Sequence, residues 1–540
     1  MSEIAPLTSS ADIKHLIGEN KILREFAPEG QSVGKLCVLV GKNNHVLFLV
    51  ERSELDGPQH KSIKIRVWRA GYQTQHHRIA SISLLREVMD ETMKKNKESV
   101  PATPPAKSGN VQLFEELIIR AIGNNASDVH FCLRESSNDS CAILNRVDGL
   151  LLPLQASIKA DLAEHAIAAA YSSADSAGGS AAAFHRKMPI DFAYEINHKG
   201  KPVRLRVATT PASDMRDEDG LDVVVRIFHN DGSVASLEKL GYLPSQLHIL
   251  DMCSKVPSGL FLMVGGTGSG KSTTLRAMFT RDKDRKFRKQ YSLEEPVEVK
   301  MFGITQINVS SIKHKDIPPN EMMAYMVRGL MRLDPDDIMV GEIRDKSTAA
   351  AAQSAVDSGH KVLSTIHARD PVQAFLRMLS PAIGMSRELI SSPGFITAVV
   401  AQKLVTKLCP HCKVQEDRKE IIKKLDKIYI PLQDVFRAKE GGCPHCHHVG
   451  LKGRQACSSI LIPDMDILQS IGDGKTIDAL RQWRSKRVGA LHEDNYEGKT
   501  TFEHALYCVA HGQIGMDEAE AEMMPFEMAM LREEIIVVKG

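Results

Sequence analysis

One segment limits the possible folds more than any other. Leu260-Phe-Leu-Met-Val264 is a short apolar run that leads directly into Gly265-Gly266-Thr267-Gly268-Ser269-Gly270-Lys271-Ser272-Thr273, and Leu275-Arg-Ala-Met-Phe279 follows. Strand, glycine-rich turn and helix in that order is the setting in which G-x-x-x-x-G-K-S cradles phosphate. The glycines let backbone N–H groups curl around the phosphates, and the helix start adds its positive end. Lys271 is placed to reach the β- and γ-phosphates, and the Ser272 hydroxyl to ligate Mg²⁺. The segment reads as a nucleoside triphosphate site.

Acidic and histidine-bearing segments follow in order. About 65 residues on comes Asp334-Pro-Asp-Asp-Ile-Met-Val-Gly341-Glu342-Ile-Arg-Asp345, a short buried strand ending in Gly-Glu. A carboxylate at such a strand tip can hold Mg²⁺ through water or polarise the attacking water, which points to Glu342. Ser292-Leu-Glu294-Glu-Pro-Val-Glu298 offers Glu294 and Glu298 in support. Gly359-His360-Lys-Val-Leu-Ser-Thr-Ile-His367 runs as strand then loop, and His367 at its end is positioned to contact a γ-phosphate or relay its loss.

Length and composition frame the rest. At roughly 150 residues per domain, 540 residues imply three or four domains. With 43% hydrophobic and 25% charged residues, global disorder is excluded. Lys+Arg 69 against Asp+Glu 67 leaves +2, too little for a chain that coats nucleic acid or an anionic membrane. The start, MSEIAPLTSS, has no signal-peptide pattern, and no apolar run reaches the roughly 18–20 residues of a membrane helix. The expectation is a cytoplasmic protein that meets a membrane only through partners.

The expected layout is an α/β multidomain chain. Residues 1–95 read as a small α/β unit: Cys37–Val40 and Val46–Val50 form a hairpin about Gly41–Asn44, Ser62–Trp68 a further strand and Leu84–Lys95 a helix. Residues 96–110 form a Pro-rich linker. Residues 111–235 read as a second α/β domain, opening on a helix whose apolar face carries Leu113, Leu117, Ile118 and Ile122, with an Ala-rich helix at 159–172. Residues 236–404 alternate strand and helix in the manner of a parallel sheet with crossovers. Residues 405–460 carry two cysteine pairs, and 461–540 are mainly helical with a Met- and Glu-rich end.

Ten cysteines are too sparse for a disulfide scaffold. Four of them form Cys409-Pro-His-Cys412 and Cys443-Pro-His-Cys446, with thirty residues between the pairs. Each pair can wrap two thiolates around one side of a tetrahedral ion, and four sulfurs at about 2.3 Å suit Zn²⁺. Two matched pairs would be redundant for redox chemistry, and a disulfide conflicts with a cytoplasmic address. With no open metal position the zinc is structural. His411, His445, His447 and His448 stand nearby as alternative ligands.

Four ordered motifs, GGTGSGKST, SLEEPVE, LDPDDIMVGEIRD and SGHKVLSTIHARD, together resemble the secretion ATPase superfamily of type II secretion and type IV pilus motors. There they are the Walker A loop, Asp box, Walker B strand and His box. The resemblance covers roughly 111–510. It implies a RecA-like core with a zinc-binding insertion, preceded by a PAS-like N2 domain to which Ala126–His130, Arg146–Gly149, Arg204–Pro211 and Val223–Arg226 are similar. It also implies that Arg206 and Arg226 reach the nucleotide and that Arg328 and Arg332 form a further functional pair. The chain departs from the family pattern in several places. Glu295 stands where the family usually has aspartate, Asp337 where an apolar residue is usual, and Leu144 where an arginine is usual, and the loop after Pro211 is longer and more acidic.

The implied activity is Mg²⁺-dependent hydrolysis of ATP by a ring, typically a hexamer. Its motion would pass to an inner-membrane platform protein, with a cytoplasmic adaptor, to assemble a type IV pilus. Tetracysteine elements favour assembly or secretion motors over retraction motors. A type II secretion motor or a retraction motor is the nearer alternative, and a nucleic-acid translocase the distant one. Residues 1–95 show no clear match to the family's adaptor-binding domain.

Overall fold

A computed structural model describes residues 109–133, 140–155, 157–174, 184–213, 219–228, 234–281, 287–312, 314–538 and separate short segments between 7 and 88. The chain divides into two compact units, Met1–Ala106 and Lys107–Gly540.

In the first unit β1 (Lys21–Ile22), β2 (Leu36–Val40), β3 (His45–Val50) and β4 (Gln73–Ile79) form one sheet in that order. The expected hairpin is present as the antiparallel β2/β3 pair, with Val40 opposite Val46; residues 41–44 themselves lie outside the described ones. The expected strand at 62–68 is corrected. Residues 60, 61, 63, 64 and 67 are helical. His60, Ile63 and Val67 are buried while Lys61 and Lys64 are exposed, which is a helical face and not an alternating one. Residues 82–85 and 88 are helical as expected, whereas the rest of the expected 84–95 helix and residues 96–108 lie outside the described ones.

The second unit opens on α1 (Gly109–Gly123) and an antiparallel sheet. Its strands are β5 (Asp128–Leu133), β6 (Ser140–Val147), β7 (Leu150–Pro153), β8 (Ile158–Lys159), β9 (Ile190–His198), β10 (Lys201–Ser213) and β11 (Asp219–Phe228). The order is β7-β6-β5-β11-β10-β9, with β8 beside β6. α1 and the Ala-rich α2 (Ala160–Ser173) cover one face. The buried stripe of α1 is Val111, Phe114, Leu117, Ile118 and Ala121, rotated from the expected one because Phe114 takes the centre and leaves Leu113 and Ile122 at the edge. In β10 the inward residues Val203, Leu205 and Val207 alternate with outward Arg204 and Arg206.

The following sheet has seven strands: β12 (Gly259–Val264), β13 (Gln290–Glu294), β14 (Thr305–Asn308), β15 (Asp337–Val340), β16 (Lys361–Ile366), β17 (Ile396–Leu408) and, past the cysteine segment, β20 (Leu451–Leu461). Their order is β14-β13-β15-β16-β12-β17-β20. Pairings are parallel up to β17, and β20 is antiparallel to β17. The central strands are buried on both faces, as crossover helices on both sides require. Leu260, Leu262 and Val264 point to one core, shared with α5 (Met322–Leu330), α6 (Lys346–Asp357) and α7 (Pro371–Leu379). Phe261 and Met263 point to the other, with α3 (Pro244–Lys255) and α4 (Lys271–Phe279).

The expected boundary at 404/405 falls inside β17. The cysteine segment is therefore an excursion between two adjacent strands of this sheet, and carries β18 (Val414–Gln415), β19 (Phe436–Arg437) and α8 (Lys419–Lys427). α9 (Met465–Gly472), α10 (Thr476–Ser485), α11 (Thr501–Ala510), α12 (Met516–Glu522) and α13 (Phe526–Leu531) complete the chain. α11, α12 and α13 share a core with α8.

Candidate nucleotide site and metal centre

The loop between β12 and α4 has the backbone that its glycines permit. Gly265, Gly268 and Gly270 have φ of 151°, 77° and 83°, in the region that side chains avoid. Ser272 and Thr273, at the start of α4, face outward. Lys271 is buried, and its Nζ donates to the Gly265 and Gly266 carbonyls at 2.8 Å each. Burial holds this ammonium below its ordinary value, and the Glu342 carboxylate works in the opposite direction. The loop borders an open cleft of about 1230 Å³ whose walls include Gly266 to Thr273, Glu294, Glu295, Glu298, Glu342 and His367.

Glu342 follows β15 by two residues, and its Oε1 lies 3.1 Å from His367 Nε2. The Walker B and His box residues therefore meet at the cleft. Asp345, three residues on, caps α6 by accepting from the Thr348 N–H at 2.8 Å. The unusual Asp337 is buried, and it accepts from Arg288 at 2.7 and 3.0 Å and from Gln290 Nε2 at 3.0 Å. Those donors supply what a buried carboxylate in a strand requires.

Glu294 and Glu298, both on the cleft wall, are also ion-paired. Both grip Arg276 of α4: Nη2 lies 3.2 Å from Glu294 and 2.6 Å from Glu298. The other oxygen of Glu294 accepts from Ser292 and Gln306 at 2.9 Å each. Glu294 thus reads as a tie between the acidic segment and the phosphate-loop helix. Glu295, the departure from the family pattern, pairs with Arg344 at 2.9 Å.

The four arginines separate. Arg226 lines the cleft and pairs with Asp128 at 3.1 Å. Arg206 sits opposite it in register on the same exposed face, beside Asp191 at 3.9 Å, and is not part of the cleft wall. Arg328 and Arg332 are exposed at the end of α5 and are also outside the cleft wall. Of the four arginines singled out in the sequence, Arg226 is the one on this chain's cleft wall. α5 packs on the sheet through Met322, Met323, Ala324, Val327 and Leu330, so its basic side points away.

Mg²⁺ takes oxygen ligands and usually binds through one or two protein groups plus substrate phosphates. Ser272 Oγ and the Glu342 carboxylate, both on the cleft wall, fit that donor set. The cysteine quartet can be tested more closely. The four Sγ atoms all lie within 4.8 Å of one another, with 409–443 at 3.9 Å, 412–446 at 3.8 Å and 443–446 at 3.8 Å. A tetrahedron with metal–sulfur bonds of about 2.3 Å has edges of about 3.8 Å, so the thiols stand where zinc ligands would stand. Backbone N–H groups of Cys443 and Gly450 donate to Cys446 Sγ at 3.2 and 3.1 Å. Burial pushes that thiol up, but these N–H groups and the neighbouring thiols outweigh it and bring it down to about 6. The His411 and His445 rings, next to Cys412 and Cys446 in sequence, meet at a tilt of 48° with centroids 3.9 Å apart.

The sequence matches the family profile of the type II/IV secretion system protein over residues 107–506. The chain belongs to that family. Type II secretion system protein HxcR of Pseudomonas aeruginosa is 31% identical over 401 residues, covering 73% of this chain and 76% of that protein. Type IV pilus assembly ATPase PilB of Thermus thermophilus is 31% identical over 434 residues, covering 78% of this chain and 46% of that protein. The solved ATPase DotB of Legionella pneumophila aligns with a TM-score of 0.52 at 20% identity over 78% of this chain and 99% of that one, a likeness of fold. The loop, the strand-end carboxylate and the family together make the chain a P-loop ATPase of the secretion family.

Reading the sequence passed over several cleft residues. Arg146 lines the cleft and donates to the Gly149 carbonyl at 2.9 Å. Arg454 of β20 lies on the same wall. The turn at Asp148 docks on the β17/β20 pair: Gly453 N–H donates to its carboxylate at 2.7 Å, and Thr406 Oγ1 to its carbonyl at 3.3 Å. The R-V-D-G element carried a signal for Arg146 and Asp148. Arg276 and Arg454 had none, since each is a single cation in a helix or strand whose local spacing does not place it on the cleft.

Proposed function

We propose that the chain is a cytoplasmic motor, a hexamer at the inner membrane, that hydrolyses ATP to power assembly of a type IV pilus through a membrane platform protein and an adaptor. The observation that carries this reading is the meeting of the phosphate loop, Glu342 and His367 on one cleft. Lys271 exchanges its two loop carbonyls for the β- and γ-phosphate oxygens. Glu342 orients the attacking water, and His367 holds that carboxylate and senses departure of the γ-phosphate. Ser272 and Glu342 would hold Mg²⁺, which would supply charge neutralisation on the phosphates. Arg226 and Arg146, from the PAS-like antiparallel sheet, face the nucleotide across the cleft, so its binding and loss bias the two sheets against each other. Arg206, Arg328 and Arg332 are surface cations available to a neighbouring subunit.

Zinc on the cysteine quartet ties the excursion between β17 and β20 and supports an assembly or secretion role over retraction. The HxcR match spans more of its relative than the PilB match does and favours a second reading, a type II secretion motor. Among the described residues no helix is long and apolar enough to cross a membrane, which suits contact through partners. Deleting the gene and scoring surface pili and secreted protein separates the readings. Loss of pili with secretion intact is expected; the reverse supports the secretion motor. ATPase activity stimulated by DNA but not by a platform protein contradicts both.

A further inference from the structure

Gln402 lies in β17 and is 2% exposed. Three parts of the site converge on its side chain. Its amide nitrogen donates to the Ser269 carbonyl at 2.7 Å. Its amide oxygen accepts from the Tyr242 hydroxyl at 2.6 Å and from Thr274 Oγ1 at 2.8 Å. Ser269 is in the phosphate loop, Thr274 in the first turn of α4, and Tyr242 in the connection that precedes α3. Two donors on one end of the amide and an acceptor on the other leave a single orientation of the group.

The loop glycines are shaped around the same residue. A Cβ on Gly270 would meet the Gln402 amide nitrogen at 2.8 Å, and one on Gly265 would meet the Gln402 backbone carbonyl at 2.5 Å. Gln402 itself is not on the cleft wall, although Lys403 and Leu404 are. Any effect on a nucleotide therefore passes through the loop. A loop carbonyl turned towards a triphosphate would oppose its charge, whereas one bonded to β17 leaves the N–H groups to face it.

We propose that Gln402 is a positioning residue for the triphosphate: it holds the Ser269 carbonyl against β17 and so keeps the loop in its phosphate-accepting shape. Tyr242 and Thr274 lock the amide that does this. The inference rests on the ATPase reading above. Gln402→Glu keeps an acceptor for Tyr242 and Thr274 but places a carboxylate against the Ser269 carbonyl. Gln402→Met keeps the bulk and removes both bonding ends. Tyr242→Phe removes one of two donors to the oxygen and leaves the Ser269 bond.

The test uses the full chain, Mg-ATP turnover and titration with the fluorescent nucleotide mant-ADP. Gln402→Glu and Gln402→Met are expected to raise the KM for ATP and the mant-ADP Kd about tenfold while kcat stays within about threefold. Tyr242→Phe should change both constants by no more than about threefold. A residue needed only for stability would lower the melting temperature and the active fraction and leave KM in place. A folded Gln402 variant with KM and Kd within about twofold of wild type overturns the proposal. Should both Gln402 variants fail to fold, the Tyr242→Phe/Thr274→Val double variant frees the amide from its oxygen side. An unchanged KM there also overturns it, and a raised KM supports it. Wild-type protein that neither binds mant-ADP nor turns over ATP contradicts the ATPase reading itself, whatever the variants do.

Discussion

Replacing Arg276 by methionine should destabilise the second unit by about 3–5 kcal/mol, the cost of leaving a buried carboxylate without its counter-charge. Arg276 and Glu294 are 7% and 4% exposed, so neither can turn to water. Arginine Nη2 and Nε donate to Glu294 Oε2 at 3.2 and 3.4 Å. Glu294 Oε1 is held by the neutral groups of Ser292 and Gln306. In the variant those neutral donors remain and the Arg276 charge is gone. Glu298 is more exposed and can be hydrated instead, so the penalty belongs chiefly to Glu294. Methionine fills much of the arginine stem, which keeps any cavity contribution small. Adding Glu294→Gln removes the stranded charge, and the double variant should lose only about 1–2 kcal/mol. The assay is urea unfolding followed by Trp483 fluorescence in a Trp68→Phe background, since Trp483 is buried in the core that includes β12 and β15. The urea slope should be unchanged. A loss below about 1 kcal/mol for Arg276→Met, or a double variant no more stable than the single one, refutes the reasoning.

Purified protein should carry about one zinc per chain, and Cys446→Ser or chelation should remove it and lower the melting temperature. Metal analysis beside calorimetry checks this, and a zinc-free wild type of unchanged stability contradicts it. His367→Asn should slow ATP turnover about tenfold with mant-ADP affinity retained, because it removes the support of Glu342 and not a loop contact. Lys499 is fully buried, and burial brings its ammonium down from 10.5 to about 8. Between those values the unfolded chain binds a proton that the folded chain does not, so stability rises with pH across the window. The destabilisation is fully present below about pH 8 and amounts to about 3 kcal/mol. Lys499→Met should abolish the rise, read as urea midpoints of both proteins at pH 7.5 and 10; equal slopes for the two contradict it.

What could be read in the sequence was local. The phosphate loop needs residues 259–279 alone, and each cysteine pair needs four positions, so fixed spacing reveals them. What could not be read depends on register and face. Arg206 and Arg226 stand opposite each other on neighbouring strands, yet only Arg226 borders the cleft. Ile63 and Val67 suit an alternating strand and a helix equally well, and burial of His60 with exposure of Lys61 decides for the helix. Gln402 is a buried polar residue in the largely apolar β17. Its partners lie 128 to 160 residues away, and no local pattern joins them. The pairing of Glu294 with Arg276 was equally hidden, because Arg276 sits one turn inside α4 with nothing to mark it as buried.

The central claim is that ATP is hydrolysed on the cleft between the phosphate loop and the tip of β15, with Glu342 directing the water. Phosphate release by wild type and Glu342→Gln, with mant-ATP affinity measured on the same preparations, tests it most directly. The account predicts affinity within about threefold of wild type and turnover lower by about a hundredfold or more. Glu342→Gln that releases phosphate at the wild-type rate contradicts it.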